Sequence, residues 1–140
     1  MIKKKINLKK EYNWRGDVSE LLVKYNVGAY CWKPKYEEHY KFINENRSSI
    51  DLWKEDLNGN LVLYEVKSRN EDYKKKPDIT EKSLKVYKKA LRKGYVVKLI
   101  RVCFKEDWEI EFEERKFNPK DFRKNNGGYY RRKDGRTKIN

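Results

Sequence analysis

The alternation of apolar and polar positions predicts helices and strands along most of the chain. Within residues 18–25, apolar side chains recur at the i, i+3, i+4, i+7 spacing of an amphipathic helix. These positions are Val18, Leu21, Leu22 and Tyr25. We therefore predict a first helix that begins after Asp17, turns this face inward and ends just before Gly28. A short strand is predicted at residues 29–32, and residues 33–49, which contain Pro34 and many charges without a clear period, are predicted to be irregular.

The strongest local pattern is a β-hairpin formed by residues 50–56 and 60–68. A two-residue turn at Asn58 and Gly59 would direct Asp51 away from Glu65. A three-residue loop of residues 57–59, with Gly59 in the left-handed bulge position, pairs Asp56 with Asn60 and therefore Asp51 with Glu65. Residues 61–68 are apolar on both faces, which is typical of a strand covered on both sides.

The second half of the chain predicts another helix and two more strands. Thr80 can cap a helix that runs to Lys93, with Gly94 closing it. Residues 95–104 form an apolar strand, residues 108–113 alternate as a half-exposed strand, and residues 118–119 open a last short helix. The order of helix, strands, helix and strands predicts an α/β fold, in which helices flank a mixed β-sheet in one domain.

Length and composition narrow the class of protein. The 140 residues suffice for one domain, and 41% charged with 37% hydrophobic residues predicts a compact core under a highly charged surface. No apolar run approaches the ~20 residues of a membrane span, and no signal peptide is recognisable, so we expect a cytoplasmic protein without a membrane partner. The sequence has two Cys and a single His, His39, too few for a typical zinc site and with only one His to serve as the base of a catalytic triad. His39 alone remains a candidate catalytic residue.

The net charge of +14 is concentrated at the two ends of the chain. Residues 1–10 carry +5 and residues 120–140 carry +6, which leaves +3 for residues 11–119. We predict a basic N-terminal arm (1–12), a folded domain (13–119) and a basic C-terminal tail (120–140) that lies along a phosphate backbone. The tail cations assigned to nucleic-acid binding are Arg131, Arg132, Lys133 and Arg136. The alternative is a tail that serves only solubility.

The hairpin register predicts a candidate active site, because the side chains of Asp51, Glu65 and Lys67 would lie together on one face of the hairpin. Two opposed carboxylates repel unless a cation lies between them. Mg²⁺ prefers such oxygen ligands, so Asp51, Glu65 and the carbonyl of Val66 are the predicted metal ligands, with Mn²⁺ as a substitute. Lys67 would orient the attacking water or stabilise charge on a phosphate. The alternative is an ordinary salt bridge between Glu65 and Lys67, but burying these two charges among apolar neighbours would cost free energy.

The motif residues of this chain resemble a known nuclease family. Arg15-Gly16, Glu20, Asp51 and Glu65-Val66-Lys67-Ser68-Arg69, with the helix and strand of residues 80–104, are similar to the PD-(D/E)XK nuclease superfamily and, within it, to the archaeal Holliday junction resolvases. The resemblance implies a restriction-endonuclease-like fold and a metal-dependent DNA endonuclease acting on junction-like or other structured DNA.

The same resemblance implies roles for further residues. Glu20 would be catalytic beside Asp51, Glu65 and Lys67, although Asp17 and Glu20 also fit a reciprocal helix cap. Arg15, Arg69 and Lys85 are the implied nucleic-acid contacts. A homodimer follows if the resolvase likeness holds, because cutting a junction needs two active sites. The alternative function is a nucleic-acid-binding protein of this fold that does not cleave.

Overall fold

The polypeptide folds into a mixed β-sheet with helices on both faces and a smaller sheet beside it. The structure, a computed structural model, describes residues 3, 14–29, 34–70, 78–105, 107, 109–124 and 129–132, and only the backbone at 14–16, 69–70, 78 and 129–132. Its helices are α1 (Trp14–Val27), α2 (Glu37–Glu45) and α3 (Glu81–Arg92). Its strands are β1 (Leu52–Glu55), β2 (Leu61–Asn70), β3 (Asp78–Thr80), β4 (Val96–Phe104), β5 (Ile110–Lys116), β6 (Phe122–Lys124) and β7 (Tyr129–Arg132). The predicted single-domain α/β fold is confirmed.

The main sheet has the order β1-β2-β4-β5. The central pair β2 and β4 is parallel and is connected through α3, while β1 and β5 join antiparallel at the edges. Successive residues of β2 point to opposite faces, so Leu61 and Leu63 enter a core with α2 and α3, whereas Val62 and Tyr64 enter a second core with α1. The prediction of a strand covered on both sides is confirmed.

The hairpin between β1 and β2 has the register that the candidate site requires. Leu52 pairs with Tyr64 and Glu55 with Leu61, and the Asp56 N–H donates to the Asn60 carbonyl at 2.9 Å. Gly59 has a φ of +79°, the left-handed conformation expected of the bulge residue. The three-residue loop is therefore confirmed, and extending its register brings Asp51 level with Glu65.

The prediction of which face of α1 is buried is wrong. The helix begins at Trp14, before Asp17, and ends at Val27, just before Gly28, whose φ is +69°. Ser19 and Val23 are buried toward β2, whereas Leu21 and Tyr25 are 53% and 81% exposed. The apolar period falls on one face of the helix, but the face that contains the small Ser19 lets the helix pack closer to the sheet.

Residues 33–49 are more regular than predicted, because α2 and a 3₁₀ turn at Arg47–Ser49 lie within them. His39, Phe42 and Ile43 are the buried residues of α2. The Glu55 carboxylate accepts hydrogen bonds from the backbone N–H of Lys35 at 2.6 Å and Tyr36 at 3.1 Å and lies 2.7 Å from His39 Nδ1. This carboxylate from β1 anchors the start of α2, so His39 has a structural role.

The second half of the chain follows the predicted order. The Thr80 hydroxyl accepts from the Ser83 N–H at 3.1 Å at the start of α3, and Gly94 has a φ of +82° beyond its end. The predicted short helix is the 3₁₀ turn Pro119–Asp121, capped by Asn118. On β5, Phe112 is 40% exposed, so the predicted inward face of that strand is only partly buried.

The small sheet has the order β3-β7-β6 and contains residues assigned to the C-terminal tail. Residues 129–132 pair as a strand with residues 122–124 on one side and with β3 on the other, so the folded part of the chain continues past residue 119. The predicted arm at 1–12 (Lys3 apart), residues 30–32 of the strand predicted at 29–32, and residues 133–140 lie outside the described residues. In the part of the chain that is described, no helix has the length and apolar character to cross a bilayer.

Candidate active site

The candidate site lies where the start of β1 meets the middle of β2. Asp51 immediately precedes β1, and its Oδ2 accepts a hydrogen bond from the Val66 N–H at 2.8 Å. Glu65 is 5% exposed, and its Oε1 lies 3.1 Å from Lys67 Nζ. Asp51 interacts with both Glu65 and Lys67. The structure thus brings together the three residues that the hairpin register had predicted to share a face.

Tyr87 on α3 completes the floor of the site. Its hydroxyl donates a hydrogen bond to Glu65 Oε2, and the backbone of Asp51 interacts with the same hydroxyl. The ring is fully buried and packs on Phe117 with centroids 5.3 Å apart. Tyr87 therefore links the two acidic residues to the rigid core between the sheet and α3.

The carboxyl groups of the site are held in an environment that disfavours their charge. Burial, followed by the negative charge of Asp51, raises the pKa of Glu65 from 4.5 to about 7, against the opposing effects of Lys67 and Tyr87. Burial also raises the pKa of Asp51, although the hydrogen bond from the Val66 N–H opposes the change. A bound cation would favour the charged forms and relieve this cost.

Glu20 approaches the site from α1 on the other face of the sheet. Burial, then the charges of Asp51 and Asp17, raise the pKa of Glu20. Because α1 begins at Trp14, Asp17 lies inside the helix and is not its N-terminal cap. The reciprocal-cap interpretation of Glu20 is therefore wrong, and the acidic neighbour that the structure provides for it is Asp51.

The donor set fits a hard divalent cation with waters completing its coordination. Asp51 and Glu65 supply carboxylate oxygens, and the Val66 carbonyl points to the same side of β2 as the Val66 N–H, toward Asp51. Mg²⁺ is ordinarily held by one or two carboxylates with several waters. Among the described residues, no cluster of three or more His, Cys, Asp or Glu side chains is gathered tightly enough to hold a metal alone.

The predicted nucleic-acid contacts do not all converge on this site. Lys85 has a side chain that is 75% exposed on the outer face of α3, 3.8 Å from Glu81. Arg15 and Arg69 lie in α1 and β2, and Arg131 and Arg132 lie in β7, where only the backbone is described. Lys133 and Arg136 lie outside the described residues.

Two residues near the site were missed or undervalued by sequence reasoning. Tyr87 fits the core face of α3, and no sequence signal shows that its hydroxyl holds Glu65. Arg101 is 3% exposed, pairs in register with Lys67 and lies 3.4 Å from Glu113. A single Arg within the apolar run of β4 is the signal that could have found it, because buried cations need partners.

The raised pKa of Glu65 has a measurable consequence for stability without metal. The folded state binds this proton more tightly than the unfolded chain, so the contribution is complete below pH 4.5 and is lost as pH rises to about 7. We expect the free energy of unfolding in EDTA to fall by up to about 3 kcal/mol across this interval. Urea titrations at several pH values measure it. Glu65→Gln should flatten the decline, and an equal decline in both proteins would contradict the assignment.

Comparison with known proteins adds no assignment to this geometry. The sequence matches no protein-family model, and it matches no curated protein.

Proposed function

We propose that this protein is a metal-dependent DNA endonuclease of the PD-(D/E)XK type that hydrolyses phosphodiester bonds. The observation that carries the proposal is the contact of the buried Glu65 with the partly buried Asp51, beside the partly exposed ammonium of Lys67. A purely structural protein gains little from such a cluster, since the burial of carboxylates that bind nothing costs free energy of folding. Perturbed carboxyl groups next to a lysine are typical of functional sites.

Asp51, Glu65 and the Val66 carbonyl would hold Mg²⁺, with Mn²⁺ as a substitute. When bound, the ion would lower the pKa of a coordinated water and polarise the scissile phosphate. The protein supplies the positions of its ligands: the Val66 N–H holds Asp51 Oδ2, and the Tyr87 hydroxyl holds Glu65 Oε2. Both carboxylates therefore keep one oxygen anchored to the protein while lone pairs remain for the ion.

Lys67 and Glu20 act at the edges of this cradle. The Lys67 side chain is 33% exposed, so its ammonium can reach a phosphate oxygen while it remains next to Glu65. There it stabilises the negative charge that grows on the phosphate during attack. Glu20, next to Asp51, is suited to receive a proton from water, because burial and its acidic neighbours raise its pKa.

The direct test is cleavage of a panel of labelled substrates with Mg²⁺, Mn²⁺ or EDTA. The panel contains duplex, single-stranded, flap and four-way DNA together with the matching RNA duplex. We expect metal-dependent cutting of DNA, with structured or junction DNA preferred. Cutting of junctions would extend the proposal to a homodimer, which sedimentation measures, and a cytoplasmic location is part of the same proposal. No cleavage of any substrate with either metal would refute the enzyme.

A second function is favoured by one feature of the site. Both Glu65 oxygens already have partners, Lys67 and Tyr87, so the cluster is internally satisfied without an ion. A nucleic-acid-binding protein that does not cleave would retain such a cluster as a structural remnant. Calorimetric titration with Mn²⁺ separates the two functions, because heat that disappears in Asp51→Asn supports the enzyme and its absence supports the binder.

A further inference from the structure

The outer face of α3 carries a row of exposed cations. Six basic residues occupy α3 and the residue that caps its end, and all six are exposed. We call them the α3 basic stripe: Lys82, Lys85, Lys88, Lys89, Arg92 and Lys93. At ~100° per residue they fall within an arc of about 140°, opposite the buried face of the helix. Glu81 is the acidic residue of α3 in this sector.

The stripe concentrates positive charge that the rest of the body lacks. Residues 11–119 carry +3 in total and residues 81–93 carry +5, which leaves −2 for the remainder of that range. The edge strand β5 and its approach have a net negative charge by contrast, because Glu109, Glu111, Glu113 and Glu114 outnumber Arg115 and Lys116. Within residues 11–119 the positive charge is therefore concentrated on α3.

Neighbouring elements extend the positive side beyond the helix. α3 packs against β3 and β7, and Lys120, Arg123 and Lys124 are exposed on the chain leading into and along β6 of the same small sheet. Lys82 Nζ also donates to the Ser48 hydroxyl at 2.7 Å, which fixes the start of the stripe against the turn that precedes Asp51. Further exposed cations therefore lie on the small sheet that α3 contacts.

We propose that the α3 basic stripe binds the phosphate backbone of duplex DNA. The stripe extends along a helix about 18 Å long, and a DNA strand presents one phosphate per ~3.4 Å of duplex axis. The buried side of the same helix holds Tyr87 against Glu65, so a bound backbone and the acidic cluster lie on opposite sides of α3, separated by at least about one helix diameter, ~10–12 Å. The identification of the partner as DNA rests on the proposed function.

The composition of the stripe favours a phosphate backbone over other anionic partners. Four apolar residues of α3, Leu84, Val86, Tyr87 and Ala90, are buried, and Leu91 packs partly buried against the core, so no apolar side chain stands exposed beside the cations to enter a bilayer. An acidic protein partner would need an aromatic or aliphatic anchor at the centre of its interface, and the stripe offers none. Regularly spaced lysines with no apolar centre are suited to sequence-independent contacts with phosphate.

The test compares two triple variants that lose the same charge. The stripe variant is Lys85→Gln, Lys88→Gln and Lys89→Gln. The control variant is Lys35→Gln, Lys41→Gln and Lys116→Gln, three exposed lysines outside the stripe. Affinity of the full chain for a fluorescent duplex is measured by anisotropy in EDTA at increasing NaCl. Circular dichroism establishes that both variants are folded.

We expect the stripe variant to bind about 10- to 100-fold more weakly at low salt, and its slope of log affinity against log salt to fall by about 2 to 3. The control should change the slope by less than about one. Equal changes in both variants would overturn the proposal, as would loss of binding to anionic vesicles with DNA binding unchanged. Because EDTA prevents metal-dependent cutting, a failure here leaves the proposed active site standing, and an inactive enzyme leaves this result standing.

Discussion

Glu65→Gln is expected to reduce Mg²⁺-dependent cleavage by about 10³-fold or more while DNA affinity stays within about two-fold of the parent. The amide keeps the shape of the side chain and its contact with Tyr87 but removes the negative charge that holds the ion. Loss of metal-based stabilisation of the transition state costs several kcal/mol, and about 4 kcal/mol corresponds to this rate change. Asp51→Asn should behave in the same way. Single-turnover cleavage and binding in EDTA measure the two quantities separately.

The matched control for these variants is Glu114→Gln. Glu114 is an exposed carboxylate on β5 that pairs with Lys98 at 2.9 Å, so its neutralisation alters charge equally without touching the site. We expect the control to cleave at the parent rate. Without metal, Glu65→Gln should be at least as stable as the parent at neutral pH, because a buried repulsive pair is relieved. Parent-like cleavage by Glu65→Gln and by Asp51→Asn would end the active-site assignment.

Tyr87→Phe is expected to weaken Mg²⁺ binding by about 10- to 100-fold, the usual cost of removing a group that orients a metal ligand. The phenylalanine keeps the contact with Phe117 but leaves Glu65 Oε2 without the hydroxyl. Because that hydrogen bond lowers the pKa of Glu65, its loss should also move the acidic limb of the cleavage profile to higher pH. Titration with Mg²⁺ and a pH series of cleavage rates provide the two readouts.

Tyr95→Phe is the control for the loss of a tyrosine hydroxyl from the same core. Tyr95 is also buried, and its hydroxyl donates to Glu38 Oε1 at 3.3 Å, on α2 and away from Asp51. We expect parent-like metal affinity and an unchanged pH profile. Tyr87 would be only a packing residue if Tyr87→Phe kept both the metal affinity and the pH profile of the parent.

Local sequence patterns were sufficient wherever they acted over a few residues. The loop of residues 57–59 could be predicted because a left-handed Gly59 sets the register of a hairpin, and every pair along the strands follows from that register. The ends of α3 could be predicted because Thr80 and Gly94 act on their own neighbours. The meeting of Asp51, Glu65 and Lys67 belongs to this class, since all three lie on one hairpin.

Predictions were poorer where the answer depended on what packs against an element. The period of Val18, Leu21, Leu22 and Tyr25 is real, yet the sheet accepts the stripe of Ser19 and Val23. The many charged residues of the segment 33–49 hide the apolar period of α2 from a sequence-based prediction. The start of α2 depends on Glu55, a residue of β1 that is distant in sequence. Neither the buried face of α1 nor the start of α2 is determined by the sequence of that helix alone.

From the sequence alone came the α/β class, the hairpin register and the acidic residues with their lysine, because periodicity, capping and turn chemistry are local properties of the chain. Tertiary structure decided which groups surround those residues. It set Tyr87 beneath Glu65, brought Glu20 near Asp51, aligned Arg101 with Lys67 and exposed the α3 basic stripe on the outer face of the helix that carries Tyr87. The physical reason is that burial and the pKa of a carboxyl group depend on neighbours from distant segments, which only the packed fold brings into contact.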